Sequence, residues 1–260
     1  MRLGKWFDVE VSAHWSALIL AYLAFNNVSS FLFFNMPKES SAGIYFVSAL
    51  FSLGLMFSIL AHEFGHILVG RRFGIQFNSV MLNGLGGLAR MSSPINTAKS
   101  EFFMALAGPA VSMLLFGIFA LLSVLSNVYV VGSNDTLTTA YNTIDTNLFT
   151  LTLMILASTN LVLGLFNLVP AFPMDGGRVF RSSMWAVSKN FRASTLVAAN
   201  VGRVIGIAAV LGGFLTSFGV HIPFFGTGAS SGIWMIILGA FIIFATGQEI
   251  KSQNVNLKVI

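Results

Sequence analysis

The chain has 260 residues, of which 55% are hydrophobic and only 9% are charged, and it contains no cysteine. Soluble domains carry about 25% charged residues, so this composition excludes an ordinary soluble protein and predicts a polytopic membrane protein. Without cysteine there are no disulfides and no thiolate ligands, so a bound metal must be held by histidine or acidic side chains.

Six stretches are long and apolar enough to cross a bilayer, which requires about 20 residues. In chain order, the predicted spans cover residues 13–34, 43–69, 102–126, 148–169, 198–220 and 232–247. Nothing in the sequence marks a linker or an internal repeat. We therefore predict that residues 1–260 form a single membrane domain.

Two segments outside the spans have the alternating pattern of β-strands. Residues 74–91 alternate apolar and polar side chains and are rich in glycine, which predicts a β-hairpin at the membrane. Residues 6–15 alternate in the same way and can pair with that hairpin. The predicted fold class is all-α polytopic, with about six transmembrane helices and a small membrane-associated β-sheet.

The basic residues are distributed unevenly between the connections. Twelve of the fourteen lysines and arginines precede the first span, follow the sixth, or lie in the second-to-third and fourth-to-fifth connections. Positive residues favour the cytoplasmic side, so both termini are predicted to be cytoplasmic in a prokaryotic cell membrane. This asymmetry also accounts for the net charge of +5, and no nucleic-acid partner is predicted.

The second predicted span contains three ionisable side chains, in the sequence HEFGH at residues 62–66. An ionised side chain at bilayer depth costs roughly 2.5–3.5 kcal/mol on insertion scales, so a function is expected to compensate for it. His62 and His66 lie one helical turn apart on one face and can hold a zinc ion. Glu63 points to the side and can reach a zinc-bound water, as in the HExxH arrangement of zinc proteases.

A catalytic zinc ion takes three protein ligands and keeps a fourth position for water. Asp175 is the best third ligand, because it follows the cytoplasmic end of the fourth span, on the side where the second span also ends. The metal is then expected roughly 10 Å inside the cytoplasmic surface. Glu101 and Glu249 are the other downstream acids on that predicted side, at helix ends with nothing catalytic near them in the sequence.

The segment before Asp175 is irregular in sequence. Pro170 and Pro173 end the fourth span, and the Gly176–Gly177 pair is expected to let the chain turn tightly. Irregular backbone at membrane depth is tolerated where protein or a water-filled cavity surrounds it, which is the setting of a functional site.

These motifs resemble the site-2 protease family of intramembrane zinc metalloproteases. The resemblance is carried by HEFGH, by AGP at 107–109, by the N-x-x-P-x-x-x-x-D-G pattern at 167–176, by His14–Trp15 and by the glycine-rich hairpin. It implies that His62, His66 and Asp175 bind one zinc ion, that Glu63 is the general base, and that Asn167 holds the substrate backbone or the oxyanion. A compact member is expected, without the PDZ domains or C-terminal CBS pair of larger relatives.

Three simpler interpretations stay open beside those roles. Asn167 can be an ordinary helix–helix hydrogen-bonder. His14 can be a hydrogen-bonded histidine at the membrane interface rather than part of the entry to the site. The glycines at 84–87 can leave a strand edge open to an extended substrate, or they can serve only as turn residues.

The sequence therefore predicts a zinc endopeptidase that cleaves a transmembrane segment of a membrane-anchored protein near the cytoplasmic face. Its predicted partners are that protein and the lipid bilayer, while the cut site and the oligomeric state stay open. One alternative is a membrane zincin of the prenyl-peptidase type, with Glu101 or Glu249 as third ligand. Another is a zinc-binding transporter or an inactive scaffold, although a scaffold would have no need of Glu63.

Overall fold

The computed structural model describes residues 1–84, 86–133, 147–222 and 228–255, which form seven helices and four strands. The strands are β1 (Arg2–Trp6), β2 (Val9–Ala13), β3 (Phe77–Asn83) and β4 (Gly86–Met91). The helices are α1 (Ser16–Asn35), α2 (Ser41–Arg72), α3 (Ala98–Ser133), α4 (Leu148–Asn167), α5 (Asp175–Ser188), α6 (Phe191–Ser217) and α7 (Ala229–Val255).

Six of these helices, all but α5, are long and apolar enough to cross a membrane. The predicted fold class, six transmembrane helices with a small sheet, is confirmed. At the start of the fifth span the predicted boundary is displaced, and a polar cap explains the difference. We predicted the fifth span from residue 198, but α6 begins at Phe191, because the Asn190 side chain accepts a hydrogen bond from the Ala193 N–H at 3.0 Å.

The seventh helix, α5, was not predicted, and it corrects our interpretation of the Gly176–Gly177 pair. Both glycines lie in the first turn of α5 rather than in a tight turn. A Cβ at Gly176 would lie 2.2 Å from the carbonyl oxygen of Leu168, and one at Gly177 would lie 2.8 Å from the carbonyl carbon of Ala171. The glycines therefore allow the start of α5 to pack closely against the preceding backbone.

The four strands form one sheet in the order β1-β2-β3-β4. β3 and β4 are the hairpin predicted at 74–91, and β2 pairs with β3 in parallel, so the predicted association of the two alternating segments is confirmed. Phe7 and Asp8 join β1 to β2, and their positive φ angles of 48° and 60° suit a tight hairpin turn. On one face of the sheet, Val9, Val11 and Val80 are fully buried.

The chain divides into two compact units. The first comprises Met1–Pro94 and Ala107–Leu165, and α1, α2 and α4 meet there in an apolar core that includes Leu32, Ile44 and Leu156. The second comprises Ile95–Leu106 and Phe166–Ile260, and its core includes Ala171, Met174 and Ile242. Our prediction of a single membrane domain over residues 1–260 stays a prediction.

Candidate metal centre

The two histidines of HEFGH lie on one face of α2, as their spacing predicts. The ring centroids of His62 and His66 are 4.9 Å apart. The two side chains are almost fully buried, with 5% and 6% of their surfaces exposed. Two imidazoles are thus held together inside a membrane-spanning helix of the first unit.

The helix α3 approaches these rings through a glycine. A Cβ at Gly108 would lie 2.3 Å from His66 Nε2 and 2.6 Å from His62 Nε2. On the opposing helix, a Cβ at Gly65 would lie 2.9 Å from the carbonyl oxygen of Ala107. Small residues on both helices permit this close crossing, as is usual in membrane proteins. The small residues of the AGP motif at 107–109 are therefore explained by the close approach of α3 to α2 and to the two imidazoles.

Ser112 lies one turn beyond Gly108 and contacts the other nitrogen of His62. The Ser112 hydroxyl oxygen is 2.8 Å from His62 Nδ1, and Ser112 is fully buried. With Nδ1–H donating to this hydroxyl, Nε2 becomes the nitrogen able to bind a metal, and such outer partners are typical of zinc-bound histidines. Sequence reasoning missed Ser112, although its spacing of four from Gly108 places both on one helix face.

Glu63 lies beneath the sheet. A Cβ at Gly87 would lie 2.2 Å from Glu63 Cγ and 2.7 Å from its Oε1. Gly87 is a strand residue opposite Leu82, so it is more than a turn residue. The residue that needs glycine for its conformation is Gly86, with a φ of +128°. β4 therefore passes directly over the side chain of the predicted general base.

The N-terminal hairpin packs on Phe64, the residue that follows Glu63. The ring centroid of Phe64 lies 6.2 Å from that of Trp6 and 5.8 Å from that of Phe7. The Arg71 guanidinium also donates a hydrogen bond to the Phe7 carbonyl. These contacts attach the β1–β2 turn to the C-terminal half of α2 and steady the helix that carries the histidines.

His14 lies at the junction of β2 and α1. Its Nδ1 is 2.8 Å from the Ser16 hydroxyl, which accepts a hydrogen bond from the Gly84 N–H at 2.9 Å. The backbone N–H of His14 donates to the Leu82 carbonyl. This network ties α1 to the tip of the β3–β4 hairpin, and it favours the structural interpretation of His14.

The other two predicted site residues belong to the second unit. Asn167 is the last residue of α4 and is partly buried, and Asp175 is the first residue of α5, with 8% of its surface exposed. The backbone between them is irregular, as the two prolines predict. It is stabilised by turns in which the Met174 N–H donates to the Ala171 carbonyl and the Gly177 N–H donates to the Met174 carbonyl.

The two alternative third ligands, Glu101 and Glu249, are both engaged by Arg181. Arg181 Nε donates to Glu101 Oε1 at 3.0 Å, and Nη1 donates to Glu249 Oε1. Sequence reasoning placed nothing of note around these acids, because the ion pairs join residues 80 and 68 positions apart. Their carboxylates already balance a buried cation, which disfavours the prenyl-peptidase alternative.

The Gly108 contact leads to a first prediction. Gly108→Ala is expected to weaken zinc binding by about 10–100-fold, the range seen when the support of a metal ligand is disturbed, because the methyl group would overlap both imidazoles. Gly117→Ala is the matched control on the same helix, since nothing among the described residues lies within 4 Å of a Cβ there. Titration of zinc into both purified variants checks this, and equal affinities would contradict the steric argument.

A six-span fold whose second helix carries a buried HExxH pair defines a class, the membrane-embedded metallopeptidases. The profile described as "Peptidase family M50" matches residues 50–213, and the chain belongs to this family. The match includes the HEFGH sequence, the AGP motif and the segment from Asn167 to Asp175.

Curated relatives and a solved structure agree with this family. The chain is 29% identical over 247 residues to "Putative zinc metalloprotease Rip3" of Mycobacterium tuberculosis. The aligned region covers 95% of this chain and 58% of that protein. It is also 30% identical over 210 residues to "Zinc metalloprotease MJ0392" of Methanocaldococcus jannaschii, and this aligned region covers 81% of this chain and 52% of that protein. The chain thus spans a little over half the length of these relatives.

The solved structure is "Site-2 Protease from Methanocaldococcus jannaschii". It superposes with a TM-score of 0.54 at 27% identity and covers 96% of this chain and 94% of that one. The resemblance to site-2 proteases is confirmed. The expectation of a zinc metallopeptidase is confirmed for the family, because these curated relatives carry the name zinc metalloprotease.

Proposed function

We propose that the chain is an intramembrane zinc endopeptidase that cleaves transmembrane segments of membrane-anchored proteins. The observation that carries this proposal is the buried pair of His62 and His66 on a membrane-spanning helix, with Glu63 beside them under the sheet. Placing three titratable groups within five residues of a membrane-spanning helix is costly, and a hydrolytic site that needs them there explains the cost.

The residues present fit a zinc ion. Two imidazole nitrogens and one carboxylate oxygen are a donor set typical of catalytic zinc. The Ser112 contact leaves Nε2 of His62 for the metal. A side chain at residue 108 would fill the space beside both Nε2 atoms, and glycine keeps that space open. When bound, zinc would act as a Lewis acid on water and on the peptide carbonyl.

Asp175 is the proposed third ligand. Its support is the burial of a carboxylate at the start of α5 and its place in the N-x-x-P-x-x-x-x-D-G pattern. Support also comes from the pairing of the rival acids, Glu101 and Glu249, with Arg181.

Glu63 is proposed to transfer the proton, and Asn167 is proposed to stabilise the negative charge that develops on the substrate. Glu63 takes a proton from the attacking water and delivers it to the leaving amine nitrogen, which restores the carboxylate. Asn167, at the irregular end of α4, donates an N–H to the carbonyl oxygen as it gains negative charge or to the substrate backbone. Strand β4 lies against the Glu63 side chain at Gly87 and so restricts the positions that this carboxylate can take.

The site is proposed to face the cytoplasm, with both termini on that side. α2 ends in Arg71 and Arg72, and basic residues follow the fourth and sixth spans. The substrate is then cut near the cytoplasmic face of a prokaryotic membrane, consistent with relatives from bacteria and archaea. A reporter fused at residue 185 that indicated the outer side would overturn this orientation.

The proposal is tested with the purified chain in detergent or liposomes. We expect one zinc ion per chain and cleavage of a reconstituted single-span protein, with the activity lost on chelation and restored by zinc. The same substrate sequence presented as a soluble helix-breaking peptide is the control and is expected to be cut much more slowly. Zinc binding without cleavage of any of a panel of single-span substrates would favour the transporter or scaffold alternative.

A further inference from the structure

The short helix α5 buries small and polar residues along one part of its surface. Its buried residues are Asp175, Gly176, Gly177, Arg181 and Ser182. None of them has a large apolar side chain, so burial of hydrocarbon, which stabilises most helices, contributes little on this face. Trp185 of α5 packs on Phe191 of α6 with ring centroids 4.8 Å apart, but at the five buried positions polar contacts must hold the helix that begins with the proposed third ligand.

Arg181 joins α5 to two other helices, α3 and α7. Its Nε and Nη2 both donate to Glu101 Oε1 in the first turn of α3, and its Nη1 donates to Glu249 Oε1 on α7. The side-chain exposures of Arg181, Glu101 and Glu249 are 4%, 0% and 29%. We call these three residues the Arg181 clamp.

Aromatic rings and a second α7 contact complete the surroundings of the clamp. The Arg181 guanidinium carbon lies 5.0 Å from the centroid of the Phe172 ring and 4.9 Å from that of Phe191. Phe172 belongs to the irregular segment before α5, and its carbonyl accepts a hydrogen bond from the Thr246 hydroxyl at 3.3 Å. Thr246 lies one turn before Glu249, so α7 holds both α5 and the segment that leads into it.

The chemistry of the clamp requires an arginine. Burial by itself lowers the pKa of Arg181, but the two carboxylates outweigh it and raise the pKa, so the guanidinium stays charged. The planar guanidinium group of an arginine can donate to carboxylates in two directions and lie against aromatic rings, whereas the ammonium group of a lysine offers a single point charge. The clamp is therefore sensitive to geometry as well as to charge.

We propose that Arg181 is a positioning residue for the metal centre: the clamp fixes α5 and thereby holds the carboxylate of Asp175 in place. This rests on the proposed ligand role of Asp175. Arg181 follows Asp175 by six residues, about 9 Å along the helix, so it acts through the helix. Groups that orient a metal ligand commonly contribute 10–100-fold to affinity or activity.

The test compares zinc affinity among folded variants of the full chain. Arg181→Gln is expected to weaken zinc binding by about 10–100-fold. Arg181→Lys is expected to recover only part of that loss, because it restores the charge without the planar guanidinium group. Arg178→Gln is the matched control, since it removes an arginine from the same helix even closer to Asp175, and its zinc affinity is expected to stay near that of the parent chain.

The readouts separate a positioning role from a structural one. If Arg181→Gln lowered the melting temperature of the metal-free chain but left zinc affinity unchanged, the inference would be overturned. If Arg181→Gln did not fold, Glu249→Gln, which leaves the Glu101 contact intact, decides: weaker zinc binding supports the inference, and unchanged binding overturns it.

Asp175→Ala, measured in parallel, shows which idea has failed. Loss of zinc in Asp175→Ala with full affinity in Arg181→Gln would reject the positioning role alone. Full zinc affinity in Asp175→Ala would reject the ligand assignment and, with it, this inference.

Discussion

Asp175→Ala and His66→Ala are each expected to release zinc from the purified chain and to abolish peptide cleavage. Each variant leaves two proposed ligands, whereas catalytic zinc sites use three. The loss of affinity should exceed the roughly 10–100-fold that an outer partner contributes. Metal analysis after purification in buffer of fixed free zinc, followed by a cleavage assay, measures both effects.

Matched controls for these variants lie on the surface. His221→Ala removes an exposed histidine, and Glu10→Ala removes an exposed carboxylate of β2 that pairs with Arg2 at 2.8 Å. Both are expected to keep zinc and activity. If Glu249→Ala released all of the zinc while Asp175→Ala retained it, the prenyl-peptidase type of site would replace the one proposed here.

The parts of the site that the sequence predicted depend on local regularities. His62 and His66 share a helix face because of their spacing, and this holds wherever the helix lies in the fold. The six spans follow from length and apolar content, and the sheet follows from alternation. Each of these signals is contained within about 20 residues, so the sequence alone was enough to predict them.

The parts that the sequence did not predict depend on packing between distant segments. Ser112 reaches His62 across 50 positions, and Arg181 reaches Glu101 across 80. Nothing in the local sequence of either partner indicates such a pairing. The Gly176–Gly177 pair misled us for a related reason, because a glycine that permits a turn and a glycine that permits close packing look the same in a sequence.

Glu63→Gln is expected to keep nearly full zinc occupancy while slowing peptide cleavage by at least about 10²-fold, the lower end for loss of a general base. Glutamine preserves the shape that fits beneath Gly87, where a Cβ would lie 2.2 Å from Glu63 Cγ. It cannot accept a proton from water. Metal analysis beside a single-turnover cleavage assay separates these two effects, because the assay reports the chemical step and not product release.

The outcomes of this experiment assign Glu63 to one role. Glu39→Gln, an exposed glutamate outside the site, is the control and is expected to match the parent chain in both zinc content and rate. Loss of zinc from Glu63→Gln would make Glu63 a ligand and remove the reason to assign that role to Asp175. Substantial cleavage by a zinc-loaded Glu63→Gln variant would reject general-base catalysis by this residue, since no carboxylate would remain at that position to take the proton from water.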